Sequence, residues 1–192
     1  LFRSIYPGKK ILKRTSDLSA GIAKTIASGH IMQPATFFRK KIFDELAPVE
    51  TSLHFMMDHY LWLKYVCKYG FESVHYSDKI LANVFMHEDA KSVGSIAQFG
   101  HDRNRIYASM FRSMKMDLPE GKCRPEELLS FPEPIKPIRN NAEAIRYYLL
   151  NEQLFDRNHL GERQGMNFKV LTLLMLRFPL RFTLTILRKI FL

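Results

Sequence analysis

The most regular run of apolar positions in the first half of the chain lies at residues 54–69. Met57, Leu61 and Val66 share one side with Trp62 and Tyr65, while Lys64 and Lys68 point away. That pattern predicts an amphipathic helix burying one face, with Gly70 as its stop. Further helices are predicted over residues 17–27, with Asp17 as a candidate cap, and over Lys40–Leu46, ended by Ala47-Pro48-Val49-Glu50. Two more are predicted over 96–116 and 141–155. Buried strands are predicted over 31–38, 71–76 and 80–86, the first made irregular by Pro34. Residues 1–14 read as a hairpin or as strand ends around the turn Tyr6-Pro7-Gly8-Lys9. Residues 166–192 read as one bent helix or two. Pro179 suits a first helical turn and marks the bend or restart.

Between the two helical regions the composition changes. Pro119, Pro125, Pro132, Pro134 and Pro137 fall within residues 117–138, which read as a linker or long surface loop. The expected organisation is therefore a body at 1–116, a Pro-rich linker or loop at 117–138, and a helical basic extension at 139–192. At 192 residues and 46% hydrophobic content, the chain is long enough to bury a core and is not of disordered composition. Cys67 and Cys123 are too few for a disulfide framework and read as reduced thiols, which favours the cytoplasm.

The net charge is +10, and no acidic residue follows Glu162. Such an excess favours anionic partners: nucleotide diphosphates, an acidic membrane surface or nucleic acid. Nucleic acid is disfavoured, because no helix-turn-helix or zinc signature appears, nor the interleaved aromatics and basics of an RNA-binding sheet. In the tail, Arg177, Arg181 and Arg188 fall in a narrow helical sector, and Leu173, Leu176, Leu180, Leu184 and Leu187 supply apolar surface. The longest uncharged run there, 170–176, is far short of the roughly 20 residues that span a bilayer. A basic amphipathic helix lying on an anionic membrane, or packing on a partner, is the expectation.

Three stretches, in order, carry a resemblance: Gln33-Pro34-Ala35-Thr36-Phe37-Phe38-Arg39, Met57-Asp58-His59-Tyr60-Leu61-Trp62-Leu63-Lys64, and Leu81-Ala82-Asn83-Val84-Phe85-Met86-His87. Together they resemble the acceptor-side half of a family 2 glycosyltransferase, over roughly residues 1–95. The resemblance implies an α/β fold, a partial GT-A-like mixed sheet flanked by helices. It also implies an inverting transfer of sugar from a nucleotide-sugar donor to a glycan or lipid-linked acceptor.

The roles it implies are as follows. Asp58 would be the general base that takes the acceptor hydroxyl proton; a helix cap is the alternative reading of the same residue. The family often has a second acid where Tyr60 stands here, and Arg where Lys64 stands. His87 would reach a divalent metal, Mn²⁺ or Mg²⁺, that bridges the donor diphosphate. Phe85 occupies the place of the usual Arg two residues earlier. Lys91 and Ser92 would face the leaving diphosphate. Gln33 would contact an acceptor hydroxyl, and Trp62 would stack on a sugar unless it belongs to the core.

The donor-binding Asp-x-Asp is absent from these residues, and no Gly-rich phosphate loop replaces it. The expectation is a C-terminal part of such an enzyme, inactive alone, cytoplasmic or at the inner face of the membrane. The alternative is a non-enzymatic basic module binding an anionic membrane or nucleic acid.

Overall fold

The computed structural model describes residues 2–5, 12–14, 21–28, 31, 33–75, 77, 79–85, 96–116, 123–157 and 163–184. The described helices are α1 (Ile22–Ser28), α2 (Lys40–Leu46), α3 (Met57–Tyr69), α4 (Ile96–Ser113), α5 (Lys136–Asn140), α6 (Ala142–Glu152), α7 (Phe168–Arg177) and α8 (179–184). The strands are β1 (Phe2–Ile5), β2 (Leu12–Arg14), β3 (Ala82–Phe85), β4 (Phe155–Arg157) and β5 (Arg163–Met166).

The chain is mostly helical, which overturns the expected mixed sheet flanked by helices. The strands are only three or four residues long. Among the described residues, β1 pairs antiparallel with β2 and parallel with β3, and β4 pairs with β5. Nothing of this size forms a layer. The principal core is helix on helix instead: Ile26 and Ala27 of α1, Leu63 and Val66 of α3, Ile106, Met110 and Phe111 of α4, and Ile145 of α6. Long-range packing is led by α1 against α6.

Two predicted strands are something else. Residues 31–38 turn tightly, with the Thr36 N–H donating to the Gln33 carbonyl at 3.1 Å across a single 3₁₀ turn, Gln33–Ala35. Pro34 has no N–H for a ladder, and a tight turn sends Phe37 outward while Phe38 packs inward. Residues 71–76 begin with another 3₁₀ turn, Phe71–Ser73. There the Ser73 hydroxyl donates to the Gly70 carbonyl at 2.7 Å, and the Tyr65 hydroxyl donates to the Ser73 carbonyl at 3.1 Å. Gly70 takes the left-handed φ of 78° that ends α3.

The Pro-rich segment does not hang free in its described part, 123–138. Leu129, Phe131 and Ile135 pack on the core. Backbone donors along it are satisfied by the body: Leu129 N–H by the Ser109 hydroxyl at 2.8 Å and Ile135 N–H by the Cys67 carbonyl at 2.9 Å. Packing runs on across residue 139. α6 gives Ile145 and Leu149 to the main core, and Tyr147 and Leu150 to a second core with Leu154, Val170, Leu174 and Phe182.

Phe111 lies at the centre, fully buried, with the Arg146 guanidinium 5.0 Å from its ring centre. Phe111→Ala should cost about 3–5 kcal/mol of stability, read by urea denaturation. A loss below about 1 kcal/mol would mean that the helical core does not close around it.

Candidate active site

The start of α3 is held in place by α4. Asp102 is buried, and its Oδ2 accepts the Phe55 N–H at 2.9 Å. Arg105, three residues on, donates to the Ser52 carbonyl at 3.1 Å, to the Ser52 hydroxyl at 3.0 Å and to the Glu127 carbonyl at 3.1 Å. The Phe55 and Phe99 rings meet at 5.1 Å. The loop before α3 is thereby tied to one wall, and the helix begins at Met57, three residues later than the apolar pattern predicts. Asp102 and Arg105 have no counterpart among the expected site residues. Their signal was the unbroken polar run His101-Asp102-Arg103-Asn104-Arg105. Five consecutive residues cover every side of a helix, so a packed helix must pair some of them.

Asp58 lies in the first turn of α3, half-buried, as the turn's acidic residue. Its Oδ1 accepts the His59 N–H at 2.8 Å. The residue in the capping position is Met56, so Asp58 satisfies a helix-start donor from inside the helix. Among the described residues, its Oδ2 has no hydrogen-bond partner. A carboxylate held by one oxygen, with the other directed elsewhere, is a competent proton acceptor.

Tyr60 stands where the matched pattern often carries a second acid, and it faces the other way. It is buried, its hydroxyl donates to the Ser130 carbonyl, and its ring meets Phe131 edge-on at 5.4 Å. Burial pushes the phenol up to about 12, so it stays protonated. Lys64, expected to point outward, is half-buried instead. It donates to the Leu46 carbonyl at the end of α2 and lies 5.2 Å from the Tyr60 ring centre.

Trp62 belongs to the core. It is 7% exposed, with Phe38 at 4.9 Å and Tyr65 at 5.8 Å between ring centres. No face remains for a sugar, which corrects the stacking role. Gln33 is exposed on its 3₁₀ turn, and that turn packs beside β3. The three matched stretches are therefore neighbours: the first touches the third through 33–35 and β3, and the second through Phe38 against α3.

His87, Lys91, Ser92 and Arg188 lie outside the described residues. Among the described residues, no three His, Cys, Asp or Glu side chains gather in a manner that could hold a metal ion. The position two residues on from Asp58 holds a phenol bonded to a carbonyl in place of a second acid. Arg177 and Arg181 are exposed, and Arg177 lies 3.5 Å from Glu143. Cys67 is buried and burial pushes its thiol up to about 12, so it is inert. No described helix is long and apolar enough to cross a membrane.

Models of known protein families, curated proteins and solved structures give no match to the chain.

His59, next to Asp58, is buried against Tyr107, Nε2 to Oη 3.1 Å. The Tyr107 hydroxyl already donates to the Ile26 and Ala27 carbonyls, so His59 Nε2–H is the donor in this contact. Burial, with the nearby Arg103 charge, pushes the imidazole down to about 3 from its ordinary 6.5. Between those values the unfolded chain binds a proton that the folded chain refuses. Stability is full above the unfolded value and falls as the pH drops towards the folded one. The expected result is a urea midpoint that declines from about pH 7 to about pH 4, with a shallower decline in His59→Gln. Parallel curves for the two proteins would remove His59 as the source.

Proposed function

We propose that the chain is the acceptor-side part of an inverting glycosyltransferase, with Asp58 as general base. The observation that carries this reading is the adjacency of the three matched stretches, with one half-exposed carboxylate at the start of α3. The reading rests on those residues and not on a mixed sheet. In the reaction, Asp58 takes the proton of an acceptor hydroxyl. The hydroxyl oxygen forms a bond to the anomeric carbon, and the bond from that carbon to the nucleotide diphosphate breaks with inversion. Gln33, exposed on the turn beside β3, is the candidate contact to the acceptor sugar.

The donor is a nucleotide-sugar and the acceptor a glycan or lipid-linked hydroxyl. Donor-binding acids must come from elsewhere, since these 192 residues contain no Asp-x-Asp. A nucleotide-sugar donor places the reaction in the cytoplasm or at the inner face of the membrane.

The test is Asp58→Asn in the full gene product, assayed with a panel of nucleotide-sugars. Turnover should fall by about 10²–10⁴-fold with donor KM nearly unchanged. Activity within a few-fold of the parent would reduce Asp58 to a helix-start residue. Tyr60→Phe is the companion variant. It should keep turnover and lose about 1 kcal/mol of stability, because it removes only the bond to the Ser130 carbonyl. A turnover loss matching that of Asp58→Asn would place the proton transfer at Tyr60 instead.

A further inference from the structure

The two helices that follow β5 are apolar on both sides. α7 buries Val170 and Leu174 in the second core, and α8 buries Phe182 there. At 100° per residue, the side of α7 opposite those residues carries Phe168, Thr172 and Leu176 in one row, with Leu173 and Met175 beside it. Phe168 is 73% exposed and Leu176 77%. On α8, Leu180 and Leu184 lie opposite Phe182, and Leu180 is 80% exposed. α7 and α8 are firmly seated. The Tyr147 ring meets Phe178 at 5.5 Å, and its hydroxyl donates to the Arg181 carbonyl at 3.2 Å. The outward rows are thus presented by packed helices, although nothing in the described chain covers them.

We infer that the outer face of α7 and α8 docks in the plane of an anionic lipid surface. The inference goes beyond the transferase reading and holds whether or not the chain transfers sugar. A packed helix that keeps a second apolar row exposed presents a contact surface, and no described helix is long and apolar enough to span a membrane. Charge selects the occupant. Lys169 lies beside Leu176 at one edge of the apolar row on α7, Arg177 lies further round towards Glu143, Arg181 is exposed on α8, and no acidic residue follows Glu162 in the sequence. A second copy docked by the same face would bring these like charges together across a twofold. Anionic headgroups meet them, while the leucines and Phe168 enter the headgroup–acyl boundary.

The experiment is co-sedimentation of the full chain with two vesicle preparations: phosphatidylcholine alone, and equal parts phosphatidylcholine and phosphatidylserine. The chain should pellet with the second and not the first, and added salt should weaken the binding. Leu176→Gln with Leu180→Gln should lower the partition by about ten-fold or more, with the salt dependence kept. Lys169→Gln with Arg177→Gln should lower it comparably and flatten the salt dependence. All four side chains are exposed, so melting temperatures should hold within a few degrees of the parent in both variants. Equal pelleting with both vesicle types would overturn the inference. So would binding unchanged in the leucine variant. Concentration-dependent dimerisation that the leucine variant abolishes would assign the face to a second copy instead.

Discussion

One buried hydroxyl joins three helices. Tyr107, on α4, donates to the Ile26 and Ala27 carbonyls at the end of α1 and accepts from His59 of α3. The last carbonyls of a helix have no partner inside it, and a buried one left unmet costs about 1–3 kcal/mol. α1 is only seven residues long, too short to hold its own shape without help. Arg103 supports the same end, donating to the Ala27 carbonyl at 3.2 Å and to Glu152 of α6. The packing of α1 on α6, the main long-range contact, therefore depends on polar groups of α4 at the centre of an otherwise apolar core. A neutral His59 is part of that arrangement, since an imidazolium would sit beside Arg103 without water.

That arrangement sets which residues of α3 remain accessible. The buried side of α3 is centred on His59, Leu63, Val66 and Cys67. Residues 58 and 60 are about 200° apart on a helix, so they cannot serve one face. Position 60 faces the segment that carries Ser130 and Phe131. An acid there would lie in a packed seam, without the phenol's hydrogen bond to the Ser130 carbonyl. Tyr60 and the docking of the Pro-rich segment are therefore one feature, and of the two positions only 58 carries an acid, half-exposed at the start of α3.

The helices were legible where apolar periodicity was strong. α2 was read to its ends, α4 to within a few residues, and the restart at Pro179 appears as a break at Phe178. The inward face of α3 was read more than a third of a turn away from its position, because His59 and Tyr60 do not count as apolar although both are buried. A partner hydroxyl and a partner carbonyl make them core residues, and no local pattern reports those partners. The stretches 31–38, irregular at Pro34, and 71–76 read as strands by composition, but side-chain and turn hydrogen bonds hold 33–35 and 71–73 as 3₁₀ turns. The Pro-rich stretch read as a linker or long surface loop for the opposite reason. Its few apolar residues, Leu129, Phe131 and Ile135, are spaced to reach the core from an extended chain, a pattern that matches neither helix nor strand. At the candidate site, Asp58 was visible in the sequence, whereas Asp102 and Arg105, which hold its helix, were visible only as an unexplained polar run.

The tail shows how a one-sided reading of amphipathicity goes astray. Arginines in a narrow sector suggested a helix with one basic side and one apolar side. In the fold, the apolar positions divide between two opposite sides. Val170, Leu174 and Phe182 seal the second core, and the row through Phe168 and Leu176 faces outward. Arg177 lies near Glu143 of α6, so part of the basic sector meets the body as well. Such a helix has spent one apolar face on folding and has another that folding does not use. Single exposed leucines are ordinary on protein surfaces, but an aligned row opposite a buried row is not what surface variation produces. Among the described residues, packing imposes nothing at Leu176, Leu180 and Leu184, and their apolar character is what the lipid contact inferred above would use.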